Sequence, residues 1–205
     1  MPMNKGLLIV LSGPSGSGKG TINQVIAEDP NVFLSVSATT RSPREGEQHG
    51  QHYYFITREE FEDRLKQDGM LEYNEYCGNY YGTPKKEMQQ RLENGNDVIL
   101  EIDVNGALNV MERVDDVVSI FIMPPSLEVL EDRLRGRGTE SEEVIRQRMN
   151  EAITEIGKAD QYDYIVVNDK LDDAISEVRA ILSAEKHKIT RMREFVKGVL
   201  NYGNE

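Results

Sequence analysis

The feature that most constrains the fold is a glycine-rich segment that directly follows a short apolar run. Residues 7–11 read Leu-Leu-Ile-Val-Leu, and residues 13–21 read Gly-Pro-Ser-Gly-Ser-Gly-Lys-Gly-Thr. A continuous apolar run is typical of a strand buried on both faces of a parallel sheet. Backbone N–H groups of a glycine-rich turn can converge on phosphate oxygens, and the N-terminus of a following helix adds partial positive charge. The segment therefore predicts a phosphate-binding loop between a strand and a helix.

This loop fits the pattern G-x-x-x-x-G-K with one departure. Gly13, Gly18 and Lys19 match it, and the lysine would reach the β- and γ-phosphates of a nucleotide. The next position, which often supplies a hydroxyl to Mg²⁺, is Gly20, and Thr21 follows one step later. Either Thr21 contacts phosphate while water and nucleotide oxygens hold Mg²⁺, or the loop shifts slightly. The Gly-Lys-Gly-Thr order resembles adenylate kinases, which favours a nucleotide kinase over a GTPase.

We predict that the whole loop contacts ATP. Its residues are Gly13, Pro14, Ser15, Gly16, Ser17, Gly18, Lys19, Gly20 and Thr21.

Composition limits the partners and the cellular location. The chain has 205 residues with 24 Lys and Arg against 36 Asp and Glu, a net charge of −12, so its average surface repels nucleic acid. No apolar run approaches the roughly 18 residues of a membrane span, and no secretory segment is evident. Cys77 is the sole cysteine, and the three histidines lack metal-ligand spacing. We expect one cytoplasmic folding unit without membrane or nucleic-acid partners, and a homo-oligomer stays open.

Apolar runs and helix-like stretches alternate along the chain. The runs recur at residues 98–100, 117–122 and 164–167. Between them lie helical patterns at residues 21–28, 84–94, 126–134 and 141–156. This alternation predicts an α/β doubly wound core, a P-loop three-layer fold with a parallel sheet.

Two segments depart from this rhythm. Residues 34–83 carry short tyrosine-rich strands, which indicates an inserted β-rich lobe. Residues 172–199 have helical periodicity with basic residues near the end, which favours one long C-terminal helix.

Several separate motifs occur in an order that is familiar from one family. They occupy residues 35–47, 78–83, 101–106, 124–126, 135–139 and 167–169, together with Gly50 and Tyr53. From about residue 6 to about residue 186, the chain resembles the guanylate kinase family. The resemblance implies Mg²⁺-dependent transfer of the ATP γ-phosphoryl group to GMP, and to dGMP, giving GDP and ADP in purine metabolism and GMP recycling.

The resemblance also implies a domain organisation. A guanylate kinase-like domain would span residues 5–187, and a helical extension would span residues 188–205. The domain would divide into a core (residues 5–33, 95–132 and 158–187), a GMP-binding lobe (about 34–94) and a helical lid (about 133–157).

Four residues fit the phosphate of a nucleoside monophosphate. Arg41 and Arg44 lie three residues apart and can supply bidentate contacts to a dianion, while Tyr53 and Tyr81 can supply phenolic donors. The resemblance places these four side chains at the GMP phosphate.

Guanine offers N1–H and N2–H donors, so a protein that selects it needs carboxylate acceptors there and hydroxyl donors near O6 and N7. The resemblance assigns Glu72 and Asp103 as the carboxylates and Ser37 and Thr83 as the hydroxyls. Adenine would leave the buried acceptors unpaired, and such a site discriminates by roughly 10⁴ or more.

Phosphoryl transfer requires alignment of donor and acceptor and neutralisation of charge, so arginines should gather over the phosphates. The resemblance assigns Arg133, Arg137 and Arg148 to this task and leaves Arg135 and Arg146 as surface charges. The predicted catalytic residues are Lys19, Arg41, Arg133, Arg137 and Arg148. No general base is expected, because the acceptor phosphate is largely ionised at neutral pH.

Three polar residues follow apolar strands. Glu101 and Asp103 form an acidic pair that could organise Mg²⁺-bound water as well as contact guanine, and the sequence leaves open which does which. The resemblance places Asn168 near the ATP adenine, although an Asn-Asp pair is also an ordinary turn.

Two other functions stay open. The same fold could act on another acceptor, which the Glu72 and Asp103 pair disfavours. It could also serve as a protein-interaction module without catalysis, which Lys19, Arg41 and Arg44 disfavour.

Overall fold

The computed structural model describes residues 5–76, 78–136 and 141–200. Their helices and strands follow in this order: β1 (Leu8–Ser12), α1 (Lys19–Ile26), β2 (Val32–Leu34), β3 (Ala38–Thr39), β4 (Tyr54–Phe55), α2 (Arg58–Lys66), β5 (Met70–Tyr76), β6 (Asn79–Pro84), α3 (Lys85–Glu93), β7 (Asp97–Leu100), α4 (Val104–Arg113), β8 (Val117–Met123), α5 (Leu127–Arg135), α6 (Glu142–Ile156), β9 (Tyr164–Val167), α7 (Leu171–Lys186) and α8 (Ile189–Leu200).

Five parallel strands form the core sheet in the order β2-β7-β1-β8-β9. All five residues of the central strand β1 are buried. Ile9 and Leu11 pack on one face with α1 and α7, while Leu8 and Val10 pack on the other face with α3 and α4. Because successive strand residues point to opposite faces, an uninterrupted apolar run needs helices on both sides. The predicted three-layer α/β fold is confirmed.

A second sheet holds four strands in the order β4-β3-β6-β5. Strands β3 and β4 are parallel, whereas β6 is antiparallel to both β3 and β5. Helix α2 contributes the buried Phe61, whose ring stacks on Tyr80 with centroids 5.1 Å apart. The expected β-rich insertion is present, and α2 within it was not predicted. Helix α3 packs on the core, since Met88 and Leu92 belong to the cluster beneath β1 and β7.

The expected single C-terminal helix is wrong, because the structure has two helices. Helix α7 ends at Lys186, and α8 begins at Ile189. Helix α7 buries Val178 and Leu182 against the sheet, whereas α8 has no buried residue. Lys188 turns back to pair with the buried Glu185 at 2.7 Å, and this contact occupies the junction. No Pro or Gly marks the break, so helical periodicity alone could not locate it.

Within the described ranges, no helix is both long and apolar enough to cross a lipid bilayer.

Candidate active site

The phosphate-binding loop connects the buried end of β1 to the first turn of α1. Gly18 caps α1 with a left-handed backbone, φ +90° and ψ 7°. A Cβ on Gly18 would stand 2.2 Å from Asn168 Nδ2, so both the backbone angle and the space require glycine here. Thr21 lies exposed on the first turn of α1.

Asn168 holds this loop from the end of β9. Its buried side chain donates from Nδ2 to Ser17 O at 2.8 Å, and its own carbonyl accepts from Arg133 Nη2 at 2.9 Å. The first bond connects the end of β9 to the loop, and the second connects it to α5. The predicted contact between Asn168 and adenine stays a prediction, since the described partner of the amide nitrogen is the loop.

Replacing Gly18 with alanine should lower kcat/KM for ATP by about 10- to 100-fold. The methyl group would force the left-handed backbone to change, at a cost of about 1–3 kcal/mol, and would displace Asn168. The matched control is Gly78→Ala, because Gly78 has a comparable left-handed backbone (φ +75°), has no heavy atom within 4 Å of its Cβ position and lines neither cavity. Steady-state kinetics of both variants give the comparison, and equal losses would contradict this role of Gly18.

Two buried polar atoms near the loop have no hydrogen-bond partner among the residues described. They are Ser17 Oγ and Arg133 Nη1. Buried donors are almost always satisfied in proteins, so these two call for an acceptor. A phosphate oxygen held by the loop is an acceptor of the required kind.

A cavity of about 310 Å³ opens beside the loop. Its cations are Lys19 and Arg148, the latter from α6, so the structure brings these two predicted residues together. The full lining is Gly13, Ser15, Lys19, Glu101, Ile102, Asp103, Arg148, Glu151 and Glu155.

The last two of these lining residues were not predicted. Glu151 and Glu155 lie three and seven residues after Arg148, on the same face of α6, and this helical spacing was the available signal. Burial raises the pKa of Glu155, and Lys19 opposes that rise.

A second cavity, of about 250 Å³, lies between the core sheet and the small sheet. Five of the eight residues predicted to bind GMP line it: Ser37, Tyr53, Glu72, Tyr81 and Asp103. Asn74, Gly82, Glu101, Ile102 and Gly106 complete the lining, and of these Asn74 is a polar residue that was not predicted. Glu101, Ile102 and Asp103 line both cavities, so the two spaces adjoin at the end of β7.

Two carboxylates converge in this second cavity. A Cβ on Gly106 would stand 3.4 Å from Glu72 Oε2 and 3.5 Å from Asp103 Oδ1, so the absence of a side chain at residue 106 leaves room for both. Asp103 also caps α4 by accepting from Gly106 N at 2.7 Å. Burial raises the pKa of Glu72, and Asp103 adds to that rise.

Thr83 is placed differently from the expectation. Its side chain is buried and donates from Oγ1 to Glu72 Oε1 at 2.8 Å, and it does not line the second cavity. Its described role is to orient the carboxylate, and a direct contact with guanine stays a prediction.

Two of the four predicted phosphate residues, Tyr53 and Tyr81, line the second cavity, and Arg41 lies beside them without lining it. The Arg41 guanidinium lies 5.6 Å from the ring centroid of Tyr53, and the Tyr53 and Tyr81 rings are 6.0 Å apart. Arg44 is exposed and does not line this cavity, although its backbone joins the same network. Glu47, which was not predicted, accepts hydrogen bonds from Arg41.

Helices α5 and α6 carry the remaining arginines. Leu130, Leu134 and Ala152 pack the two helices together and so fix Arg133 relative to Arg148. Arg135 and Arg146 are exposed, as expected. Arg137 lies outside the described residues.

Comparison with known proteins gives consistent matches over nearly the whole chain. The guanylate kinase family model matches residues 5–185. The guanylate kinase of Desulfitobacterium hafniense is 52% identical over 200 residues, which cover 97% of this chain and 100% of that protein. The guanylate kinase of Clostridium tetani is 50% identical over 194 residues, covering 95% and 93% of the two chains.

A solved structure agrees with the sequence matches. The crystal structure of guanylate kinase from Anaplasma phagocytophilum superposes with a TM-score of 0.75 at 37% identity, covering 96% of each chain. These matches exceed what fold similarity alone produces, and they include every segment that lines the two cavities. The chain therefore belongs to the guanylate kinase family.

Proposed function

We propose that this chain transfers the γ-phosphoryl group of ATP to GMP and to dGMP, giving GDP and ADP, in purine metabolism and GMP recycling in the cytoplasm. The observation that carries this proposal is the pair of adjoining cavities that share Glu101, Ile102 and Asp103. One has the chemistry for a triphosphate and the other has the chemistry for a guanine monophosphate. Because they meet, a donor and an acceptor phosphate can be aligned.

The donor side rests on the loop and its cations. Backbone N–H groups of the loop and Lys19 hold the triphosphate, while Arg133 and Arg148 neutralise charge on the migrating group. We propose the same role for Arg137 from the sequence alone.

The acceptor side separates recognition of the phosphate from recognition of the base. Arg41, Arg44, Tyr53 and Tyr81 take the phosphate. Glu72 and Asp103 accept from guanine N1–H and N2–H, and Ser37 and Thr83 act from the hydroxyl side.

Lobe and lid movements complete the proposal. We assign residues of about 34–94 to an acceptor lobe and of about 133–157 to a lid, which close over the two nucleotides and exclude water. A wet site would hydrolyse ATP.

Magnesium fits this site through one carboxylate. Gly20 offers no hydroxyl, but Glu101 Oε1 lies 3.4 Å from the point where a Cβ of residue 20 would stand. Carboxylate oxygens, water and phosphate oxygens are the usual ligands of Mg²⁺ in kinases. We propose that Glu101 holds Mg²⁺, directly or through water, and that Asp103, already fixed by Gly106 N, serves the guanine. When bound, the ion would neutralise charge on the donor phosphates.

A coupled assay with ATP and a panel of acceptors tests the function. The panel is GMP, dGMP, AMP, CMP, UMP and ribose 1,5-bisphosphate. We expect turnover with GMP and dGMP and almost none with the others. Equal rates with GMP and AMP would contradict the guanine pocket, and no turnover with any acceptor would favour an interaction module.

A further inference from the structure

Glu47 is the most strongly bound carboxylate of the acceptor lobe, and no step described above uses it. Its carboxylate accepts from Arg41 Nη1 at 2.9 Å, from Arg41 Nη2 at 2.8 Å and from the backbone N–H of Arg44 at 2.7 Å. The Arg41 and Glu47 side chains are only 16% and 19% exposed. Bidentate pairs of this kind fix the plane of the guanidinium as well as its position. One carboxylate thus restrains both arginines that we assign to the acceptor phosphate.

The hydrogen-bond donors of Arg41 show what this pairing leaves available. A guanidinium has five N–H groups. Glu47 takes one from each terminal nitrogen, and Ser42 O takes a second from Nη1 at 2.7 Å. The two remaining N–H groups, on Nε and Nη2, lie along one edge of the guanidinium, and the Tyr81 hydroxyl is close enough to accept a hydrogen bond from Arg41. Glu47 therefore binds only the Nη1–Nη2 end and does not cover the Nε–Nη2 edge.

Arg41 does not itself line the acceptor cavity, but its side chain lies beside Tyr53 and Tyr81, which do. Its guanidinium packs near the rings of Tyr53 and Phe55, at 5.6 and 5.8 Å from their centroids. Tyr53 and Tyr81 line the cavity. Hydrogen bonds raise the pKa of Arg41, first the bond to Glu47 and then the bond to Tyr81. With its end held by Glu47 and packed against aromatic rings, the guanidinium has few alternatives left.

We infer that Glu47 is a positioning residue for the acceptor phosphate: it holds Arg41 and the Arg44 backbone in the geometry that a phosphate requires. A free arginine side chain loses much rotamer freedom when it binds an anion, and a preorganised one has already lost it. Glu47 therefore strengthens binding of the phosphorylated acceptor and leaves binding of the bare nucleoside unchanged. This inference rests on the proposed function, since it assumes that GMP is the ligand.

If Glu47 competed with the acceptor phosphate, its removal would change GMP affinity in the opposite direction. If the Glu47 carboxylate occupied the phosphate position, GMP would have to displace it, and removing its charge would tighten GMP binding. Glu47 binds only the Nη1–Nη2 end of Arg41, which argues against competition. The two roles are thus separated by the direction of a single measurement.

The test compares Glu47→Gln with Glu45→Gln. Both remove one negative charge from the same turn, but Glu45 is exposed and has no side-chain hydrogen bond among the contacts described. We expect Glu47→Gln to weaken GMP binding by about 10- to 100-fold, since bonds to charged groups are the strong ones. Calorimetric affinities for guanosine and ATP should stay at the wild-type level, and Glu45→Gln should match wild type throughout.

Each other outcome would overturn the inference. Unchanged GMP affinity would mean that Arg41 needs no support, and tighter GMP binding would mean that Glu47 competes with phosphate. Equal losses for GMP and guanosine would mean that Glu47 only maintains the lobe. A second variant, Glu47→Ala, repeats the comparison without a side-chain amide that could still hydrogen-bond Arg41. Wild-type GMP affinity in Glu47→Ala would also overturn the inference.

Binding and turnover separate the two proposals. If wild-type protein binds GMP but does not phosphorylate it, the proposed function fails while the role of Glu47 in phosphate binding is still measured. If wild-type protein phosphorylates GMP and Glu47→Gln binds it normally, the inference alone fails.

Discussion

Replacing Lys19 with methionine should lower kcat for ATP-dependent GMP phosphorylation by about 10³-fold or more. Lys19 is the first residue of α1 and lines the cavity beside the phosphate-binding loop, together with Arg148. We assign its ammonium group to the donor phosphates, and methionine keeps the length of the side chain without the charge. Because we assign GMP to the other cavity, its affinity should change little.

Two measurements check this expectation. Steady-state kinetics with saturating ATP give kcat, and calorimetry gives the affinity for GMP. The control is Lys66→Met, which removes an equal charge from an exposed pair with Asp63 on α2 and should leave kcat close to wild type. If Lys19→Met kept its kcat, the assignment of the loop to the donor phosphates would be wrong.

Replacing Glu72 with glutamine should lower kcat/KM for GMP by about 10²- to 10³-fold, with little change in the KM for ATP. Glu72 is 5% exposed. Its Oε1 accepts a hydrogen bond from Thr83 Oγ1, and its Oε2 lies on the cavity side, near Asp103. Glutamine would keep the shape and the bond from Thr83. It would also present an NH₂ donor, or one neutral acceptor, to the N1–H and N2–H donors of guanine, so a buried hydrogen bond would be lost.

The matched control is Glu75→Gln, three residues further along β5. Glu75 pairs with Arg58 at 3.6 Å, and both side chains are about half exposed, so this substitution should cost little. Comparison of GMP with AMP in each variant reports specificity directly. Normal GMP kinetics in Glu72→Gln would show that another carboxylate reads the base.

The pH dependence gives an independent check on Glu72. Burial raises the pKa of this carboxyl group, so it takes up a proton at a higher pH than an ordinary glutamate. Once protonated, it loses its charge and one of its acceptor positions, and GMP affinity should therefore fall on the acid side in wild-type protein. This loss of GMP affinity through protonation of residue 72 should be absent in Glu72→Gln. The remaining pH dependence there should come from ionisation of the GMP phosphate, near pH 6.

Several functional residues were predictable because their signal is local. The strand-loop-lysine order around Gly13, Gly18 and Lys19 predicts a phosphate-binding loop from spacing alone. The resemblance to the guanylate kinase family predicts that Tyr53, Glu72, Tyr81 and Asp103 form a guanine monophosphate site, and the structure places all four at one cavity although 50 residues separate the first from the last. Here the order of the motifs along the chain predicted the site residues, which their spacing alone could not do.

Other features depended on contacts that no local pattern contains. The bidentate ion pair between Glu47 and Arg41 lies in an irregular loop, where no helical or strand periodicity predicts which side chains contact each other. At the break after Lys186, Lys188 pairs with the buried Glu185. In both cases the charged partners are visible in the sequence, but their pairing is not.

By itself, the sequence determined the class of core, the position of the phosphate-binding loop and the residue types of the acceptor site. The first two depend on periodicity and spacing over a few neighbouring residues, and the third depends on the order of the family motifs along the chain. Only the tertiary structure decided that Asn168 holds Ser17 across 151 residues, that Thr83 serves Glu72, and that both cavities share Glu101 and Asp103. Those relations arise when distant strands end at one edge of a sheet, so their geometry exists only once the chain has folded.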